Sequence, residues 1–345
     1  MRQIVNYSLF CVFSISVLFF SSCNNELELI GDKVEIPVVY GTISTTGDFV
    51  FIRLERAFGD NKISPGILSK NPDSLYYKDA KVTISLPEEN FSIDLEKTDA
   101  ESLGIKRDTG VFANTPNYIY VAPNDQFVFK PGAEYQLTIE VKGKTYTAKT
   151  TLVNTIEIIL PTHTSQVAWI PRTPELQSQY PRVLYEPKGE NRSADPAILD
   201  LHIRFNYSEK DSRKGNTYEK KSFLIPVTGS IITDANTDFR YSPNRIFEYL
   251  RDHMEKDPAF DRFFTSFDFV ITGGGREFLN FTEALAANAG ITGTQDFPLY
   301  SNIEGGQGIF SSKNTMEFKG YNISSASLDS LAFSRYTIGL NFRKI

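Results

Sequence analysis

Apolar and polar residues alternate along much of the chain, and the alternation predicts strands. From Glu134 to Val141, Tyr135, Leu137, Ile139 and Val141 fall on one side, with Glu134, Gln136, Thr138 and Glu140 on the other. That is the pattern of a strand buried on one face. Lys142-Gly143 forms a short turn, Tyr146, Ala148, Thr150 and Leu152 continue on the return strand, and Lys130-Pro131-Gly132 opens the hairpin. Further strands are predicted over 34–43, 49–56, 80–86, 91–95 and 117–121. About seven short antiparallel strands over 33–153 predict a β-sandwich of immunoglobulin or fibronectin type. The prediction is architectural, because no Cys-Trp-Cys core pattern is present.

Beyond Val153 the pattern changes. Ile156, Ile158 and Leu160 begin a new strand, and a Pro- and Gln-rich loop follows over 171–181. Leu199, Leu201, Ile203, Phe205 and Tyr207 form the cleanest alternating run, a polar tip spans 208–217, and 218–227 returns. Two amphipathic helices are predicted. The first opens at Ser242-Pro243, with Ile246, Phe247, Leu250 and Met254 on one face. The second runs from about Arg276 to Ala289, with Phe278, Phe281 and Leu285 on one face and Gly290 as its stop. Phe267, Phe269 and Ile271 mark a buried strand between them, and Tyr336 to Phe342 reads as a last strand. The expected fold class is therefore mainly β: an immunoglobulin-like sandwich over 33–153, then an α+β domain over 154–345 with about two helices on antiparallel strands.

The N-terminus departs from both patterns. One basic residue, Arg2, precedes an apolar run from Ser8 to Phe20, which ends Phe20-Ser21-Ser22-Cys23. This is the layout of a secretory signal peptide over 1–22, and the run is shorter than the roughly 20 apolar residues of a membrane span. Leu18, Phe20, Ser21, Ser22 and Cys23 resemble the lipobox of bacterial lipoproteins, whose cysteine is diacylated and becomes the first residue after cleavage. The resemblance implies lipidation of Cys23 and a tether over 23–32. Removal of Cys11 with the leader and acylation of Cys23 would leave the mature chain without a free thiol, as suits an exported protein that forms no disulfides. Glu26 and Glu28 resemble the surface-export signal of Bacteroidota lipoproteins, and fit a short solvated tether equally well.

Composition narrows the function classes. A net charge of −6 lacks the basic face that nucleic-acid binding requires, so no nucleic acid is expected as a partner. Two cysteines and three histidines offer little for a metal, and neither a metal nor another cofactor is expected. His163, His202 and His253 form no His-Glu-x-x-His pattern, and neither a Gly-x-Ser-x-Gly turn nor a phosphate-cradling glycine loop occurs. Gly273-Gly274-Gly275 reads as a strand-to-helix turn rather than an anion cradle. Asp234, Asn236 and Asp238 imitate the start of a calcium loop, but Phe239 and Arg245 stand where its glycine and bidentate glutamate belong. Glu88-Glu89 reads as a solvated hairpin tip, and Trp169, near Tyr180 and Tyr185, reads as core packing before sugar stacking. No catalytic residue is assigned.

The stretch Pro298-Leu299-Tyr300-Ser301-Asn302-Ile303-Glu304-Gly305-Gly306-Gln307-Gly308-Ile309-Phe310 is more particular. Together with Pro131, Gly132, Tyr135 and Leu137, it resembles motifs of a Bacteroidota lipoprotein family classed as a domain of unknown function. The resemblance implies a lipobox followed by an immunoglobulin-like domain, encoded beside TonB-dependent receptors, with no established activity. The expected function is a non-catalytic lipoprotein anchored in the outer membrane, on either its surface or its periplasmic face. There it would serve as accessory or ligand-capture partner of a TonB-dependent receptor in nutrient uptake. The alternatives are a fimbrial or adhesin subunit and, further off, a surface glycan hydrolase.

Overall fold

The period-two runs become strands because each can bury one face. A computed structural model describes residues 36–57, 63–229, 231–232, 237–288 and 300–344; the leader, Cys23 and the tether lie outside these residues. The first region contains β1 (Ile36–Ser44), β2 (Phe49–Ala57), β3 (Ala80–Leu86), β4 (Phe91–Asp99), β5 (Tyr118–Pro123), β6 (Glu134–Val141) and β7 (Lys144–Thr151). Two one-turn helices, α1 (Pro65–Leu68) and α2 (Pro72–Leu75), stand between β2 and β3. β4 changes partner along its length: Phe91–Leu95 pairs with β3 and Glu96–Asp99 with β5. One strand thereby joins the two pairings, and Val39, Ile43, Ile52, Val82, Ile84, Leu137 and Ile139 share one buried core.

The second region adds β8 (Thr155–Leu160), β9 (Gln166–Val167), β10 (Arg182–Lys188), β11 (Ile198–Asp211), β12 (Glu219–Pro226), β13 (Ile231–Ile232) and β14 (Asp238–Arg240). These are followed by β15 (Phe260–Gly274), β16 (Ile303–Glu304), β17 (Gln307–Ile323) and β18 (Phe342–Arg343). Its helices are α3 (Pro243–His253), α4 (Arg276–Asn288) and α5 (Ser325–Phe333). Alternate residues of β11 from Leu199 to Tyr207 are buried, and the same phase turns the Glu209 carboxylate inward. There it meets the buried Arg262, its cross-strand partner on β15, at 2.6 Å.

The protein is mainly β, and its largest sheet is mixed. Among the described residues the strands run β12-β11-β15-β17-β1-β2-β5-β4-β3-β6-β7-β16. β17 is the seam. Its first half, Gln307–Lys313, lies parallel to β1, and its second half pairs antiparallel with β15. Ile303 and Phe310 therefore pack in the first core, although they follow α3 and α4 of the second region in sequence.

Several elements differ in detail from the sequence reading. Ser242 precedes α3 in extended conformation, but its hydroxyl makes no cap; Pro243 supplies the start. On α4 the buried residue is Leu279 while Leu285 is exposed, and Ala289 and Gly290 fall outside the described residues. The expected last strand shortens to Phe342–Arg343, because Gly339 and Asn341 adopt positive φ values of 90° and 56°. The helix α5 was not anticipated from the sequence.

Candidate functional site

Most of the chemistry-bearing residues singled out above turn out to be structural. Trp169 is buried and donates its indole N–H to the Tyr241 hydroxyl at 2.9 Å, with Tyr180 and Tyr185 also buried. His163 stacks on Tyr321 and His253 on Tyr249, while His202 lies on the face of β11 opposite its buried residues. Among the described residues no group of three His, Cys, Asp or Glu side chains could hold a metal ion. Glu88 and Glu89 sit at the β3–β4 tip and share Lys130, at 3.4 and 2.6 Å. Cys23, Asp234 and Asn236 lie outside the described residues.

The Asn302–Phe310 motif builds the seam. The Asn302 amide donates to the carbonyls of Lys149 (3.1 Å) and Phe310 (2.7 Å), and its oxygen accepts from the Phe310 N–H at 2.9 Å. One side chain thus joins β7 to the start of β17. Gly308 takes φ +111°, and a Cβ there would lie 1.9 Å from the Val39 carbonyl oxygen. Only glycine lets β17 approach β1 so closely. The Pro131-Gly132 turn is similarly structural: Gly132 takes φ +83°, and the Tyr135 hydroxyl donates to the Val128 carbonyl at 2.6 Å.

Where the two regions meet, a polar layer separates the two apolar cores. Thr150, Asn154, Ser311, Ser312 and Asn314 are all buried there. Ser312 donates to the Thr151 carbonyl and accepts from the Val153 N–H, and Asn314 donates to the Val153 carbonyl. The Glu277 carboxylate, in the first turn of α4, accepts from Thr150 (3.2 Å) and Ser311 (2.9 Å). Gly273 and Gly274 are the last two residues of β15, and Gly275 alone stands between that strand and α4. A Cβ at Gly273 would press on Val153 and Pro196, one at Gly274 on Ile198, and one at Gly275 on Glu277.

A cleft of about 600 Å³ opens at this junction, within the range of small-ligand sites. Tyr185, Arg192, Asp195, Arg276 and Glu277 supply its polar wall. Burial, with the Asp195 and Asp238 charges adding to it, pushes the Tyr185 phenol up to about 12, so it stays protonated at neutral pH. Asp195 is fixed by the Asn154 amide at 2.9 Å and faces Arg192 at 3.6 Å. Ser193 is tied into a turn by its hydrogen bond to Asn191 at 2.7 Å. Two guanidinium groups, two carboxylates and a neutral phenol can hold a small polar molecule bearing both charge signs. Sequence reasoning missed this cleft, because its wall is drawn from β7, β10, the 192–196 loop and α4. The glycine triplet was the one local signal pointing towards it.

The fold and this geometry accompany a β-rich chain with a glycine-laced seam, and comparison places it in a family. The sequence model of a domain of unknown function, DUF4249, matches residues 26–319. The chain belongs to that family, and the match takes in the first core, most of the second and β17 as far as Lys319. No curated protein matches the chain.

Proposed function

We propose that the protein is a non-catalytic lipoprotein, held in the outer membrane by acyl chains on Cys23, that serves a TonB-dependent receptor by capturing a small polar ligand. The observation that carries this reading is the leader ending Phe20-Ser21-Ser22-Cys23, about a dozen residues before the first strand. Each acyl methylene buried in a bilayer contributes ~0.8 kcal/mol, so two or more chains anchor firmly. The junction cleft supports the ligand-capture half of the proposal, since its wall is polar, mixed in charge and braced by buried hydrogen bonds. In this reading 33–153 is an immunoglobulin-like sandwich and 154–345 an α+β domain. The switch of β4 from β3 to β5 supports it, as does the Tyr135 hydroxyl reaching back to the Val128 carbonyl like a tyrosine corner.

Mass spectrometry of protein from its own host should find diacylglycerol on Cys23 and no leader; an unmodified amino terminus overturns the anchor. Affinity purification from detergent-solubilised outer membranes should recover a TonB-dependent receptor. Recovery of the lipidated protein alone overturns the partnership and leaves the anchor standing.

A further inference from the structure

The strand registers give the first region two distinct rims. β1 begins at Ile36 opposite Ala57, β3 at Ala80 opposite Val141, and β5 at Tyr118 opposite Asp99. The start of β1, segments 63–79 and 100–117, and the Lys142-Gly143 turn therefore share one rim. The turns after Ser44 and Leu86 lie at the other rim. β17 leaves past that second rim, since Lys313 stands opposite Ser44 and Lys313–Tyr321 then pairs within the second region. The chain thus enters at the rim farthest from the second core.

That entry rim carries apolar side chains held out on a braced platform. Ile67 is 66% exposed, Val111 65%, Phe112 42% and Ile63 41%. The two segments bearing them are stitched together: the Ala113 N–H donates to the Ser69 carbonyl at 2.8 Å, and the Ser69 hydroxyl donates to the Val111 carbonyl at 3.0 Å. Lys70 donates to the Gly110 carbonyl at 2.9 Å. Behind them Arg107 bridges Glu55 (2.8 Å) and the Tyr76 hydroxyl (2.9 Å), and Arg56 holds the Ser74 carbonyl at 3.0 Å. With the backbone so anchored, the apolar tips stay exposed instead of folding back.

We propose that this platform is a bilayer-docking surface, its apolar tips entering the lipid headgroup boundary beside the acylated Cys23, an inference that rests on the anchor reading above. The twelve residues from 24 to 35 can reach at most about 40 Å at about 3.3–3.6 Å each, so acyl chains on Cys23 would keep the start of β1, and this rim with it, near the bilayer. Four side-chain tips are far fewer than the roughly 20–30 residues a side of a stable protein interface. Their number suits a second membrane signal working with a lipid anchor. Exposed Lys70, Lys78, Lys106 and Lys142 are offset at the same rim by Asp73, Asp79, Glu101 and Asp108, so docking is apolar and insensitive to salt. Docked this way, the junction cleft and second core stand away from the bilayer, on the side open to ligand and receptor.

The test reconstitutes the full lipidated chain into phosphatidylethanolamine/phosphatidylglycerol vesicles containing brominated acyl chains. Val111→Cys and, separately, Phe333→Cys carry an environment-sensitive fluorophore; Phe333, 73% exposed at the end of α5, is an equally apolar site on the second region. Ile67→Cys serves as a second probe of the platform. The labels at Val111 and Ile67 should shift to the blue and lose at least about half their emission, as expected of groups ~5–10 Å into the headgroup boundary. The Phe333 label should stay unquenched, and high salt should change neither result. Protein that floats with the vesicles while both platform labels stay unquenched overturns the docking surface and leaves the anchor intact. Protein that stays in solution overturns the anchor and the docking surface together.

Discussion

The two cores follow the same strand period but fill their interiors differently. The first is mainly aliphatic, built on Val39, Ile43, Ile52, Val82, Ile84 and Leu137, with five rings among them, of which Tyr135 has its hydroxyl paired. The second is a cluster of rings in which Trp169 lies 4.5 Å from Phe267 and Phe269 lies 4.9 Å from Tyr321, with Phe205 and Phe247 around them. An aliphatic layer needs only shape to be satisfied. Aromatic packing with Trp and Tyr brings an indole N–H and hydroxyls inside, which need partners. The second core also encloses the Arg262–Glu209 pair, with Arg262 2% exposed and donating to the Leu340 carbonyl at 2.7 Å. The second core therefore depends on polar pairing as well as packing, and single losses there should cut deeper.

The largest effect should come from Trp169→Ala, which removes a fully buried ring and leaves the Tyr241 hydroxyl without its donor. The expected loss is ~3–5 kcal/mol in urea unfolding followed by far-UV circular dichroism. The aliphatic counterpart, Ile84→Ala, should fall at about 2–4 kcal/mol. Equal losses would erase the distinction between the cores.

Glu209→Ala comes next, at ~3–5 kcal/mol, because it strands the Arg262 guanidinium in the interior. Burial by itself pushes the Glu209 carboxyl up, but hydrogen bonds and charge from Lys221 and Arg262 outweigh it and hold the group below the usual glutamate value. A carboxyl depressed in the folded state stabilises above its unfolded value, near 4.3, and the gain disappears as pH falls through the folded value. Acid titration of the wild type should show that loss below about pH 4, and Glu209→Ala should flatten it. An unchanged acid profile would remove the pair from the account.

The same contrast explains what the sequence revealed. β6, β11 and α3 were legible because each buries one face in period, and β7 because it returns from the Lys142-Gly143 turn, while Pro243 marks where α3 starts. β15 was visible only at Phe267–Ile271; its earlier half carries Arg262 inward and slips register, which breaks the alternation. The parallel pairing of β1 with β17 had no signal, since its partners, such as Val38 and Gln307, are far apart in sequence and the contact depends on a glycine. The run Tyr336, Ile338, Leu340, Phe342 alternates like a strand, yet Ile338 is 61% exposed and turns occupy most of the run. The cleft was hidden for a related reason: its charges come from two segments far apart in sequence, the 192–196 loop and the start of α4, and most of the rest of its wall from β7 and β10.

Gly308→Ala tests whether β17 fuses the two regions. A methyl group there meets the Val39 carbonyl in a backbone conformation that side chains avoid, which should cost about 3 kcal/mol. Trp169 is the sole tryptophan and sits in the second core, so its fluorescence reports that core while circular dichroism reports both. In the wild type the two signals should unfold together. In Gly308→Ala the dichroism should begin to fall first, as β1 parts from β17. Coincident transitions in the variant would mean that the seam does not couple the cores.

The smallest effects give the sharpest contrast, because they compare one atom in each core. The Tyr241 hydroxyl accepts from Trp169 and is fully buried, so Tyr241→Phe leaves an indole N–H unpaired at ~1–3 kcal/mol. The Tyr120 hydroxyl is also buried, in the aliphatic core, but has no hydrogen-bond partner among the described residues. Burial, with Asp79 adding to it, pushes this phenol up to about 12. Removing an unpartnered buried hydroxyl recovers its desolvation cost, so Tyr120→Phe should stabilise by about 1 kcal/mol. The two substitutions delete the same atom and should move the unfolding midpoint in opposite directions. If both destabilise, Tyr120 is held by a contact the first core does not show, and the division between a shape-filled and a polar-paired interior fails there.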